Sequence, residues 1–441
     1  MPFNNSNNFE KFLKPTFKQL MKSFIFFILF GFLSSAGFSQ LYFKGTLKAN
    51  REKMYKNLVQ NTINKNLSSS LTDSTEEDWQ GAFGALEFLQ YKSLWVNQRI
   101  DTAADLMHGR SETFQRAALE LLYGNYPNKY YQPVKLLLMQ TGNAKLFAMC
   151  AAYILNSSHA TEDGNFLSVK TKQQLALDPE NPILQELLYQ IEQFNKPFIP
   201  AAIEGLLQKD YLPGHVVVYS FQRKNRNYPG LVMVRDANGN FIKDSNGLYF
   251  SVPQLARSSS NLPGYLTNGS TPEGIFRMKG YDVSMNGFIG PTVNVQLSMP
   301  FEKPAQHFYA DSSITDTSWN IQYYRNLLPT ELKDYYPMYQ SYYAGKAGRS
   351  EIIIHGTTIS PTYYASEPYF PLTPTMGCLT SKEIWNEETG QRIESDQQKL
   401  INALIPAGGP QGYTIVINLD NEQKPVILYD ILPFIEKANR K

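Results

Sequence analysis

The sequence predicts an α+β, multidomain chain: an all-helical stack of helical hairpins followed by a mainly β domain. Three observations predict it. At 441 residues the chain exceeds one ordinary domain. From about 74 to 200, apolar residues recur at helical spacing. Beyond the prolines at 197 and 200 the pattern changes to β-branched and aromatic runs bounded by Gly, Pro and Asn. The expected division is 1–39 as a signal peptide, 40–205 as the helical domain and 206–441 as the β domain.

The first segment has the order of a secretory signal. Phe24 to Leu33 reads FIFFILFGFL just after Lys22, and small residues follow up to Ser39. The run is too short to cross a bilayer comfortably, so membrane contact is expected only if the segment is retained. The stretch that begins at Met21 is by itself a complete signal peptide, which makes Met21 an alternative start. An exported chain of the periplasm or cell envelope is the expectation. Without residues 1–39 the chain carries 37 basic and 38 acidic side chains, a balance that gives nucleic acid no electrostatic foothold.

In the helical part, Ser74 and Glu77 stand at capping-box spacing ahead of a Trp79, Phe83, Leu86 and Leu89 stripe. TFQRAALELLYG, PVKLLLMQTG, AKLFAMCAAYILN and NPILQELLYQIEQF continue the pattern, the last opened by Asn181 and Pro182. Nothing there is catalytic, since His108 and His159 stand alone; scaffolding or contact with a protein partner is the expected role. In the β part the strand candidates are HVVVYSF, LVMVR, GNFI, LYFSV, EIIIHG, YTIVINL and PVILYDIL. Asn238-Gly239 marks a hairpin. SDQQKLINAL is the one helix expected to interrupt the strands, with Ser395 and Gln398 as its capping pair.

There are two cysteines. Cys150 sits in an apolar helical run and reads as a small buried hydrophobe, which leaves Cys378 as a free thiol. Cysteine becomes a strong nucleophile when a neighbouring base or imidazolium lowers its pKa. His355 ends an apolar run, and Gly377 before Cys378 lets backbone approach a substrate closely. Amides at Gly377 and Cys378 are then candidates for stabilising an oxyanion. Most His and Cys residues that share a domain are unrelated. A metal site is disfavoured because His215 and His307 lack the companion ligands zinc requires.

Three ordered patterns strengthen the pairing: Thr271-Pro272-Glu273-Gly274-Ile275-Phe276, then Ile354-His355-Gly356-Thr357, then Thr375-Met376-Gly377-Cys378-Leu379. Together they resemble the catalytic domain of the L,D-transpeptidase (YkuD-type) family over roughly 215–430, leaving the helical half outside the likeness. The resemblance implies Cys378 as nucleophile, His355 as its base and the Gly356 carbonyl as the group that orients the imidazole. It implies peptidoglycan stem peptides as substrate and no cofactor. Cys378 would attack the carbonyl between the L-centre of a diamino acid and a terminal D-alanine, giving a thioester that a second stem-peptide amine resolves. Water as acceptor would make an L,D-carboxypeptidase, and a wall-binding protein without activity is the alternative of another class. Papain-like peptidases have the reverse Cys–His order, and the sortase signature is absent.

The chain departs from the family pattern at Thr380, where Arg or Asn is usual, and at Met376, where His is common. Thr375, Met376 and Thr380 are the expected substrate contacts. Arg349 or Arg392 could replace the missing charge, although arginine is more often a solvated surface residue. The tyrosine-rich stretch 300–349 reads either as a lid over the thiol or as a packed excursion.

Overall fold

A computed structural model describes residues 41–314 and 318–440. The proposed signal segment lies outside them. The helical half begins earlier than its periodicity suggested, with Lys48–Asn57, and continues through Glu76–Leu89, Leu94–Leu106, Glu112–Asn125, Tyr131–Gln140, Ala144–Leu155, Ala160–Leu177 and Pro182–Gln193. Capping explains several starts: Ser93, Ser111, Asn143 and Asn181 each accept a backbone N–H of the first turn. The expected box at Ser74 does not form. Thr75 is the N-cap of Glu76–Leu89 without a side-chain cap bond, because its hydroxyl is turned back to the carbonyls of Ser70 and Thr72. Cys150 is fully buried among apolar helix residues, and burial pushes its thiol pKa far up.

After the helices the described residues form ten strands: β1 Val216–Arg223, β2 Gly230–Arg235, β3 Ser251–Gln254, β4 Gly274–Asp282, β5 Asn294–Ser298, β6 Ile353–His355, β7 Leu379–Thr380, β8 Glu383–Trp385, β9 Arg392–Ser395 and β10 Gly412–Asp420. Eight form one sheet in the order β3-β2-β1-β10-β4-β5-β6-β7, and β8-β9 form a separate ribbon. The large sheet nearly closes into a barrel. Just beyond β3, Leu255 exchanges both backbone hydrogen bonds with Thr380 of β7, at 2.8 and 2.9 Å, which pairs the two edges that an open sheet would expose.

Alternation along the strands sorts two cores. Val216, Val218, Val232, Val234, Phe276, Val295, Leu297, Ile354 and Leu379 join the apolar faces of the helices in one continuous cluster. Val217, Tyr219, Phe221, Leu231, Met233, Ile275, Ile415 and Ile417 face the other way, into a second cluster. Coverage on both faces is why β1 and β2 are buried at every position. The helical and sheet residues from Tyr42 onward thus form one compact unit.

Among the described residues, four further helices in the β half correct the expectation of a single one: Ala305–Tyr309, Ile321–Asn326, Gln340–Lys346 and Leu428–Ala438. The last replaces the strand expected from PVILYDIL. Its apolar run continues as LPFIEKA, and Ile431, Ile435 and Ala438 fall at four- and three-residue spacing on the second core. The tyrosine-rich stretch is a packed excursion. Tyr324, Tyr339 and Tyr342 are buried in that same core, and the Tyr324 hydroxyl bonds the Ile275 amide and the Met338 carbonyl.

Candidate functional site

The three sequence patterns converge where β6 and β7 run side by side. These strands are parallel, with Ile354 opposite Leu379 and His355 opposite Thr380. Ile354 and Leu379 both enter the main core, so period-two alternation turns His355 and Cys378 together to the opposite face. Cys378 lies one residue before the first pair and His355 is the second, a diagonal neighbour on the order of 7–8 Å away by backbone.

Each group is fixed by its surroundings. His355 is 4% exposed, and its Nδ1 lies 2.5 Å from the Gly356 carbonyl oxygen. A carbonyl only accepts, so Nδ1 carries the proton and Nε2 is left as the basic nitrogen. Burial holds the imidazole down at about 4, with the Gly356 hydrogen bond opposing. The ring is therefore neutral at pH 7, rather than an imidazolium that would depress the cysteine. Cys378 is half-buried, and its Sγ donates to the Glu351 carbonyl at 3.6 Å rather than to the imidazole. Burial pushes the thiol up. The Ile353 amide and the Arg349 guanidinium pull it back, and Glu351 adds to the rise. The resting pair is thiol and neutral imidazole.

Arg349 is a buried cation, contrary to the surface reading. It donates to the carbonyls of Gly264, Ser270 at 2.8 Å and Gly269 at 2.5 Å. Those carbonyls belong to the turn that leads into the first motif, while Thr271 of that motif donates to the Gly377 carbonyl at 2.9 Å. Gly377 has φ +114°, and a Cβ there would meet the Arg349 guanidinium and the Gly269 carbonyl. The glycine is therefore required by the arginine packed against it. Glu351, whose carbonyl receives the thiol, is itself in the left-handed region at φ +62°.

Several of the expected site groups already have partners within the protein. The Gly377 amide donates to Thr375 Oγ1 at 2.9 Å, so it is not free for an oxyanion. Thr375 Oγ1 in turn donates to the Cys378 carbonyl at 3.0 Å; this hydroxyl pins the turn. Thr380 is buried and its hydroxyl donates to Thr373, because the closing Leu255 pairing takes it inside. Met376 alone of the three stands at the surface, 71% exposed.

Sequence reasoning missed Glu383. Its buried carboxylate accepts from the Thr357 amide at 3.0 Å and from Thr292 and Ser395 hydroxyls, each at 2.6 Å. It lies so close to Gly356 that a Cβ there would overlap it. Trp385, two residues on, donates its indole N–H to the Thr357 carbonyl at 2.8 Å. Together they brace the loop whose Gly356 carbonyl holds the imidazole. An alternating glutamate and tryptophan on a short ribbon carry no local signature that points to a histidine loop. Among the described residues no group of three His, Cys, Asp or Glu side chains could hold a metal ion, and no helix is long and apolar enough to cross a membrane. Neither family models nor curated proteins nor solved structures yield a match to this chain.

Proposed function

We propose that the chain is a cysteine–histidine acyl-transfer enzyme in which Cys378 is the nucleophile and His355 the base. Within that class we propose a peptidoglycan L,D-transpeptidase of the cell envelope, on the resemblance of the three ordered motifs. The observation that supports the class is the β6–β7 register, in which His355 pairs with Thr380, two residues beyond Cys378.

In this reading Nε2 of His355 takes the thiol proton as Sγ attacks the stem-peptide carbonyl. The Cys378 amide supplies the oxyanion donor, since that of Gly377 is already engaged. The C–N bond breaks, His355 returns its proton to the departing D-alanine amine, and a thioester remains. A second amine attacks it, gives a proton to His355, and the thiol is restored as the new amide forms. Replacement of that amine by water gives the carboxypeptidase outcome.

The protonated thiol bonded to Glu351 favours one rival, a wall-binding protein with no activity. Incubation with a carbapenem tests between them. We expect one adduct per chain by intact mass, absent in Cys378→Ala; a native protein that stays unmodified while an external thiol reagent labels Cys378 would sink the enzymatic reading. Mass analysis after incubation with a tetrapeptide-bearing disaccharide then separates crosslinked dimers from free tripeptide.

A further inference from the structure

A cavity well formed among the described residues does not contain Cys378. It is a cleft of about 680 Å³ between helix Pro182–Gln193, the turn before β4 and the later part of the tyrosine-rich stretch, around Tyr335 and Tyr336. Tyr189 of the helix and Tyr336 of the stretch stack at 4.0 Å, a preassembled aromatic wall contributed by both halves of the chain. Carboxamides dominate the polar lining, among them Gln190, Gln193, Asn225 and Asn421. Beneath them lies Glu186, 1% exposed, with the Tyr336 hydroxyl on its carboxyl and its Oε1 without any partner. A buried polar atom left open is costly unless a ligand brings a hydrogen-bond partner to it.

We propose that this cleft binds a short oligosaccharide. The chemistry excludes the charged alternatives. Arg226, Lys196 and Lys224 line the same cleft and oppose a cationic guest, whereas Glu273 and Asp334 oppose an anionic one. Glu273 is already saturated, both its oxygens accepting from Asn418 at 2.6 and 2.7 Å. Burial, with the Glu273 charge adding, raises the Glu186 carboxyl to about 8, so it meets a neutral guest without a net charge of its own. What fits is a neutral, polyhydroxylated molecule with flat apolar faces. Rings of tyrosine cover the faces, side-chain amides both donate to and accept from neighbouring hydroxyls, and one sugar hydroxyl satisfies Glu186 Oε1. The site is independent of the thiol chemistry, although Thr271 lines the cleft and also holds the Gly377 carbonyl.

Calorimetric titration of the full chain with a β-1,4-linked N-acetylglucosamine tetramer tests this, using Cys378→Ala protein so that acylation is not involved. Saturable binding is expected, weakened about tenfold or more in Gln193→Ala and in Tyr189→Ala, a loss of roughly 1.4 kcal/mol per tenfold. Circular dichroism checks that each variant is folded, and Gln193→Ala alone decides should Tyr189→Ala fail that check. The proposal is overturned if the tetramer gives no saturable heat, if Gln193→Ala binds as tightly as the parent, or if n-butylamine saturates the cleft where the tetramer does not.

Discussion

At the scale of single residues, burial raises the Cys378 thiol, and two charges of opposite sign on the same short segment adjust it. Arg349 favours the thiolate and Glu351 disfavours it. Arg349→Met should therefore move the pH dependence of iodoacetamide alkylation at Cys378 upward, and Glu351→Gln should move it downward. Opposite movements are the signature; equal profiles would show that neither charge reaches the sulfur. His355 makes a separate prediction. Its folded pKa of about 4 lies below the usual 6.5, so an unfolded chain takes up the proton first as pH falls. The stabilisation is complete above about 6.5, declines as pH drops, and is gone once the folded imidazole protonates near 4. A shift of that size corresponds to something on the order of 3 kcal/mol. Denaturant unfolding at pH 7 and pH 4 should show a steeper loss for the native chain than for His355→Asn.

At the scale of elements, the His355 loop is held from behind by the β8–β9 ribbon. Glu383 acts through Thr357 and Gly356, never touching a reacting atom, and is a positioning residue. Glu383→Ala should slow carbapenem acylation of Cys378 by roughly 10- to 100-fold, as small displacements of a reacting group do. Glu383→Gln, which keeps an acceptor for the Thr357 amide, should recover part of that rate. A merely structural role would instead lower thermal stability equally in both variants and leave the acylation rate of folded protein unchanged. The same scale shows why local pattern failed at PVILYDIL. Its β-branched residues favour a strand in isolation, but the apolar positions beyond it complete a helical face that the second core accepts. Strands β4 and β5 were invisible for the converse reason: their buried residues are interspersed with Gly, Arg, Asn and Gln, which period alone does not resolve.

At the scale of the molecule, the helices and the sheet share one apolar cluster. Residues 206–441 expressed alone would leave the helix-facing side of that sheet in water, at about 1.5–3 kcal/mol for each large side chain uncovered. We expect this fragment to lack a cooperative thermal transition by calorimetry. A sharp transition would show that the β half is self-sufficient. The sharing also gives the helical half a role that its sequence did not disclose, since helix Pro182–Gln193 furnishes one wall of the large cleft.

The sequence by itself determined the helical-then-β order, the burial of Cys150 and the three motifs, including the turn that presents Cys378. Helix periodicity, capping residues and a glycine at a left-handed position are local constraints, written within a few residues of where they act. Only the tertiary structure decided that Arg349 lies buried against Gly377, that Thr375 and Thr380 are spent on holding the turn and closing the barrel, and that Glu383 braces the histidine loop. Each of these depends on which strands become neighbours, and strand pairing over long separations is set by the packing of whole faces rather than by any short stretch of chain.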